Sequence, residues 1–166
     1  MGNHSVAQVV AWLARQTEGA LATVDLSLPQ FRVLELLAER EALPSWLAER
    51  LDVQRPTITA VVDGMVSRGL VVRTHHPQDR RKVTHAITPE GRRALDRAEH
   101  CVERRLDAIA GTLDDDRLRA AAFDGLDQWG VALVRWRELR HDERAGQGEQ
   151  AERAGKAVPL ARSETT

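Results

Sequence analysis

The side chains with chemistry to offer gather in one stretch of the chain. Between Arg68 and Lys82 stand Arg68, Arg73, Arg80, Arg81 and Lys82 against Asp79 alone, a local charge of +4. The whole chain of 166 residues carries 24 basic and 25 acidic side chains and a net charge of −1, so a global excess does not explain this run. Just upstream, Arg55, Thr57 and Thr59 supply a guanidinium fork and two hydroxyls, groups that match the acceptors of bases and phosphates. The chemistry on offer is recognition of a polyanion. Ser, His and Asp are all present, but without a nucleophile elbow, a His-Glu-x-x-His pair or a P-loop, so an enzyme is not expected. Cys101 is the only cysteine; it excludes an intrachain disulfide and a Cys-rich zinc site and fits a reducing cytoplasm. Set mid-helix among apolar neighbours, it reads as a buried, inert thiol. His75, His76, His85, His100 and His141 form no evident ligand set, and neither metal nor cofactor is expected. The leading residues lack a secretory pattern and no segment approaches the ~18 apolar residues of a membrane span, which points to the cytoplasm and away from membranes.

Those groups need elements to present them. Val6, Val9, Val10, Leu13, Ala20, Leu21 and Val24 mostly recur at three- and four-residue steps, the stripe of an amphipathic helix ending near Asp25 and Leu26. Ser27-Leu28-Pro29-Gln30 reads as a capping box that opens a second helix through Phe31, Val33, Leu34, Leu36 and Leu37, which stops near Arg40 or Glu41. Pro44 suits the first turn of a short helix with Leu47, Ala48 and Leu51 on one face. After Asp52-Val53-Gln54-Arg55, Pro56 marks another first turn, and Ile58, Val61, Val62 and Met65 form an inward stripe up to Arg68, with Gly69 as the stop. Two short helices separated by a four-residue break make a helix-turn-helix.

The β-prone runs 70–74 and 83–87 flank a polar tip at 75–82, as in a hairpin with a long loop. Such a wing makes the core a winged helix-turn-helix. Thr88 as N-cap, Pro89 at the first position and Glu90 in the first turn restart helix. Leu95, Ala98, Val102, Leu106 and Ile109 keep helical spacing to Gly111. Leu118, Ala122, Leu126, Trp129, Leu133 and Trp136 define a further long helix ending near Arg140. The unit at 30–88 is too small to cover three long amphipathic helices, so a second copy of the chain is the economical partner. The expected organisation is an N-terminal dimerisation helix at 1–29, a DNA-binding domain at 30–88, C-terminal dimerisation helices at 89–141 and a disordered tail at 142–166. The fold class is mainly α with a small β-hairpin wing.

These residues resemble the MarR family of bacterial winged-helix regulators. The likeness runs Leu47-Ala48-x-x-Leu51-x-Val53-x-Arg55-Pro56-Thr57-x-Thr59-x-x-Val62-Asp63-x-Met65-x-x-x-Gly69-Leu70-Val71-x-Arg73, then Pro77-x-Asp79-Arg80-Arg81 and the closing Ile87-Thr88-x-x-Gly91. It covers the whole DNA-binding core. The chain departs from the family pattern at Gln54, where a Ser or similar N-cap is common, at Gly64 inside the recognition helix, and at Trp46, usually polar. The resemblance implies a dimeric, ligand-responsive transcriptional regulator, often a repressor.

With its apolar stripe inward, the recognition helix presents Arg55, Pro56, Thr57, Thr59, Ala60 and Asp63. Residues near its start reach base edges first: Arg55 suits guanine O6 and N7, Thr57 and Thr59 bases or phosphates, and Pro56 and Ala60 a thymine methyl. By resemblance, Arg81 enters a narrow minor groove, Asp79 braces the loop, and Arg80 and Lys82 meet flanking phosphates. Arg73 is left two roles, a phosphate contact or a pair with an acid at the wing base. The resemblance also implies an effector pocket between the DNA-binding unit and the dimerising helices, with Trp12, Phe31 and Trp46 as candidates to line it for a small aromatic or phenolic compound. Two other readings compete: a winged helix that contacts only protein, and a regulator sensing oxidants through Cys101.

Overall fold

The computed structural model describes the backbone of residues 4–76 and 79–156, and the side chains of 4–74 and 83–140. Six helices and one hairpin are described: α1 (Val6–Ala22), α2 (Leu28–Glu39), α3 (Pro44–Leu51), α4 (Arg55–Ser67), β1 (Val71–His76), β2 (Asp79–Ile87), α5 (Pro89–Ala110) and α6 (Asp116–Lys156). This is the mainly helical, winged helix-turn-helix arrangement that the sequence patterns suggest. The starts of the helices follow from local chemistry. Ser27 accepts from the Gln30 N–H at 3.4 Å while Gln30 Oε1 accepts from the Ser27 N–H at 3.0 Å, the reciprocal box that satisfies two orphan donors. Ser5 and Gln8 build the same box at α1. Thr88 caps α5 by accepting from the Gly91 N–H at 3.0 Å.

The helix-turn-helix follows the pattern closely. Leu47, Ala48 and Leu51 of α3 are buried, as are Ile58, Val62 and Met65 of α4, while Val61 is half-buried. Asp52 ends α3 in the left-handed region at φ 56°, and Gly69 follows α4 at φ 71°, a conformation that costs a residue without a Cβ least. These faces meet Leu21, Val33, Leu34, Leu37 and Val71 in one core, which α5 closes with Ala94, Leu95 and Ala98.

The hairpin differs from expectation. The strands extend to His76 and from Asp79, so most of the stretch expected as a loop at 75–82 is strand, with His75 opposite Val83 and His76 opposite Asp79. Arg73 faces His85, Thr74 faces Thr84, and the register shifts between His75 and His76. The ladder propagates because each added antiparallel pair satisfies backbone groups that a loop would leave to water. Ala42 makes an isolated bridge to β2: its N–H donates to the His85 carbonyl at 3.0 Å and its carbonyl accepts from the His85 N–H at 2.8 Å.

The chain divides into two compact units, 1–112 and 113–166. In the first, α1 buries Ala20 and Leu21 but leaves Val6, Val9, Val10 and Trp12 exposed. In the second, α6 exposes Leu118, Leu126, Trp129, Leu133 and Trp136. The expected stop of this helix near Arg140 is corrected, for the helical backbone runs on to Lys156 through most of the segment expected to be disordered. Ala, Glu, Arg and Gln dominate that segment and are good helix formers even without an apolar stripe. Among the described residues no helix is long and apolar enough to cross a membrane.

Candidate nucleic-acid interface

Burial of Ile58, Val62 and Met65 fixes the rotation of α4 and turns the opposite face outward. Arg55, Pro56, Thr57, Thr59 and Ala60 all lie exposed on it. The structure therefore brings the sequence-derived reading residues of this helix together on one face. Thr59 is more constrained than the sequence suggests. Its hydroxyl donates to the Arg55 carbonyl at 3.0 Å, so its proton is engaged within the helix and its lone pairs remain to accept. Gln54 occupies the N-cap without a side-chain cap bond. Pro56 brings no N–H to the first turn, and the Thr57 N–H donates to the Gln54 carbonyl at 3.0 Å. An open cleft of about 600 Å³ lies next to this turn, lined by Ser45, Ala48, Glu49, Val53, Gln54, Arg55 and Pro56.

The wing is anchored to α4. Of the two roles left open for Arg73, the structure takes the second: its guanidinium pairs with the Asp63 carboxylate. That pair joins the outward face of the recognition helix to the base of β1. His85, directly across from Arg73 in the ladder, is buried at 4% exposure, and its Nδ1 has no hydrogen-bond partner. Burial holds the His85 pKa below its ordinary 6.5, Arg73 pushes the same way, and Asp63 partly opposes them. On the other face of the hairpin, Glu41 Oε2 accepts from Thr74 at 3.1 Å and Thr84 at 3.3 Å. The side chains of Arg81, expected in the minor groove, of Asp79, expected to brace the loop, and of Arg80 and Lys82, expected on flanking phosphates, lie outside the described residues.

The three aromatic candidates for an effector pocket stand in different settings. Phe31 and Trp46 are half-buried against the core, with the Arg40 guanidinium 5.3 Å from the Trp46 ring. Trp12 lies outside that cluster, 50% exposed on α1, with the His4 ring edge-on at 4.9 Å. Cys101 is half-buried rather than fully so.

Sequence reading missed two contributors. The Ser5-x-x-Gln8 box had a signal, a hydroxyl three residues before an amide ahead of an apolar run. The ion pair of Arg68 with Asp25, at 2.8 Å, had none, because it spans 43 residues.

Comparison with known proteins agrees with this geometry. The model for the MarR family matches residues 24–82, from just after α1 through most of the wing. The HTH-type transcriptional repressor YetL of Bacillus subtilis is 38% identical over 74 residues, which span 43% of this chain and 44% of YetL, so the match covers less than half of that relative. The regulator FarR of Neisseria gonorrhoeae is 30% identical over 107 residues, 64% of this chain and 73% of FarR. Among solved structures, the repressor CouR bound to a 23-mer DNA duplex superposes with a TM-score of 0.61 at 29% identity, covering 75% of this chain and 89% of CouR. CouR of Rhodococcus jostii RHA1 with p-coumaroyl-CoA gives 0.56 at 28%, covering 73% and 85%. A match that takes in most of FarR, together with a family model centred on the helix pair and wing, makes this chain a member of the MarR family of transcriptional regulators.

Proposed function

We propose that the chain is a sequence-specific, double-stranded DNA-binding repressor that acts in the cytoplasm as a homodimer and responds to a small aromatic or phenolic effector. The observation that carries the DNA reading is the outward face of α4, where Arg55, Pro56, Thr57, Thr59 and Ala60 are exposed together at the end of the helix that enters a major groove first. Arg55 reads guanine with its fork, Thr57 and Thr59 accept from base edges or position the backbone, and Pro56 and Ala60 meet a thymine methyl. Asp63 is already paired, and holds Arg73 and the wing in register with the helix. Arg81, Arg80 and Lys82 supply the electrostatic component from the wing, with Asp79 bracing the loop.

The homodimer reading is supported by the apolar surface left exposed on α1 and α6, including Val10, Trp12, Trp129 and Trp136. The segments 1–29 and 89–141 serve as dimerisation arms, and 30–88 as the reading head. In a two-fold dimer the recognition helices sit ~34–36 Å apart and match a pseudo-palindrome. CouR's complex with p-coumaroyl-CoA supports an aromatic effector class, with Phe31 and Trp46 as lining residues and Trp12 joining them from α1.

A salt titration on duplexes selected from genomic fragments tests the reading. Neutralising roughly six to ten phosphates makes affinity fall ~10³–10⁵-fold between 50 and 200 mM salt. Arg81→Ala weakens every duplex, whereas Arg55→Ala also relaxes preference at one base position by about 1–3 kcal/mol. Absence of any duplex shift at low salt overturns the proposal in favour of a protein-contact module. Quenching of tryptophan fluorescence by phenolic acids tests the effector.

A further inference from the structure

The C-terminal end of the recognition helix is gripped from two sides, by the corner that joins α1 to α2 and by the residue that caps α5. Arg68, the C-cap of α4, reaches back to the corner between α1 and α2. Its Nη2 donates to the Asp25 carbonyl at 2.6 Å and to the Asp25 carboxylate at 2.8 Å, and its Nη1 to Gln30 Oε1 at 3.4 Å. That amide oxygen is the one that also accepts from the Ser27 N–H in the capping box of α2. Asp25 is held in the left-handed region at φ 57°, so the corner it forms is a defined turn. On the other side the Thr88 hydroxyl is shared between the carbonyls of Gly69 at 2.7 Å and Leu70 at 3.1 Å, and the Thr88 N–H donates to the Leu70 carbonyl at 3.1 Å. Residues 68–70 are therefore the point at which the end of α1, the start of α5 and the recognition helix are tied together.

We propose that Arg68 is a positioning residue that sets the angle of the recognition helix relative to the α1 arm, and so fixes the half-site spacing that the dimer accepts. The inference rests on the homodimeric, DNA-reading function proposed above. A purely stabilising role fits the observations poorly: the Asp25 side chain is 93% exposed, and exposed ion pairs contribute little to stability. One guanidinium spanning a carbonyl, a carboxylate and an amide instead restrains direction, which a planar fork does better than an ammonium. The leverage is large. α4 has 13 residues, about 20 Å of helix, so a rotation of about 10° at its Arg68 end moves the reading end by about 3.4 Å, the rise of one base pair. A small change of direction at this joint is thus amplified at the reading end, while the buried stripe of α4 limits how far the helix can turn.

The test uses the full chain and a two-half-site duplex recovered by selection, rebuilt with spacers one and two base pairs longer and shorter. The wild type should prefer one spacing by about 100-fold, and Arg68→Ala should reduce that preference about tenfold, the size expected for loss of a charge-assisted hydrogen bond. Arg68→Lys and Asp25→Asn should fall between, since the first keeps only the charge and the second keeps a residue that tolerates the left-handed turn. Loss of a phosphate contact at Arg68 would lower all spacings alike and leave the ratio untouched, which overturns the proposal. If Arg68→Ala fails to fold, the two milder variants decide, and unchanged ratios in both overturn it equally. Light scattering on the same samples separates the failures: a monomeric wild type, or one that binds no duplex, sinks the homodimer reading itself.

Discussion

At its first turn the recognition helix begins with Gln54, whose side chain caps nothing, followed by Arg55, Pro56 and Thr57 in solvent. At its last turn Arg68 is tied to Asp25 and Gln30, Gly69 takes a left-handed φ of 71°, and Thr88 holds the carbonyls of Gly69 and Leu70. One end is open and the other is fastened from both sides. A helix proposed to read a groove needs side chains in solvent where it would meet bases, as Arg55 and Thr57 are, and its direction set elsewhere. The midpoint serves the wing: Asp63, facing outward halfway along, pairs with Arg73.

The fastened end should be the costly one to disturb. A Cβ at Gly91 would lie 2.1 Å from the Leu70 carbonyl oxygen and 2.9 Å from Ile87 Cγ1. Backbone cannot yield as a flexible side chain does, so Gly91→Ala should lower unfolding free energy by about 3 kcal/mol in urea, more than any gain from replacing a helical glycine. Gly69 poses a different constraint. Nothing lies within 4 Å of its missing Cβ, and only its φ of +71° resists substitution. Gly69→Ala should therefore cost about 1–2 kcal/mol and Gly69→Asn distinctly less, because asparagine tolerates the left-handed region. Equal costs for alanine and asparagine would show that space rather than dihedral governs the site.

The open end should respond in the opposite direction. Gln54→Ser places a hydroxyl where α4 has no side-chain cap, and should raise stability by about 0.5–1 kcal/mol. Duplex affinity should not rise with it, since the added hydroxyl would accept from the Thr57 N–H, which already donates to the Gln54 carbonyl, and so closes within the helix. A parallel gain in both would break the contrast between the two ends.

Interactions that close within four residues were legible in the sequence. Ser27 with Gln30, Thr88 with Gly91, the prolines that open α3 and α5 and the glycine after α4 each carry their partner beside them. The inward stripe of α4 was legible for the same reason, and with it which side chains face outward. Contacts that depend on the tertiary fold were not: Arg68 with Asp25, the Ala42 bridge to His85, and the choice of Asp63 for Arg73 all require knowing which surfaces meet. The long strands and the extension of α6 to Lys156 were missed differently. There, polar composition was read as loop or disorder, although pairing of backbone and intrinsic helix propensity do not depend on an apolar pattern.

The smallest expected effect sits between the two ends, at His85 beneath the pair of Asp63 and Arg73. Burial and the Arg73 charge hold its pKa below 6.5, with Asp63 opposing. In the unfolded chain the imidazole takes its proton more readily than in the folded one, so stability rises with pH between the folded pKa and 6.5. The contribution is fully present above the unfolded value and is lost as pH falls through the folded one. Thermal unfolding from pH 7.5 down to 5 should thus show a steeper decline for wild type than for His85→Gln, which places no titrating group beneath the pair. At the same time the protonated ring would stand beside Arg73 and compete for Asp63, loosening the wing from the middle of α4 while leaving its Arg68 end fastened. Acid should accordingly weaken duplex binding by wild type relative to His85→Gln without changing the preferred half-site spacing. A change in spacing with pH would mean that the wing, and not the joint at Arg68, sets the direction of the helix.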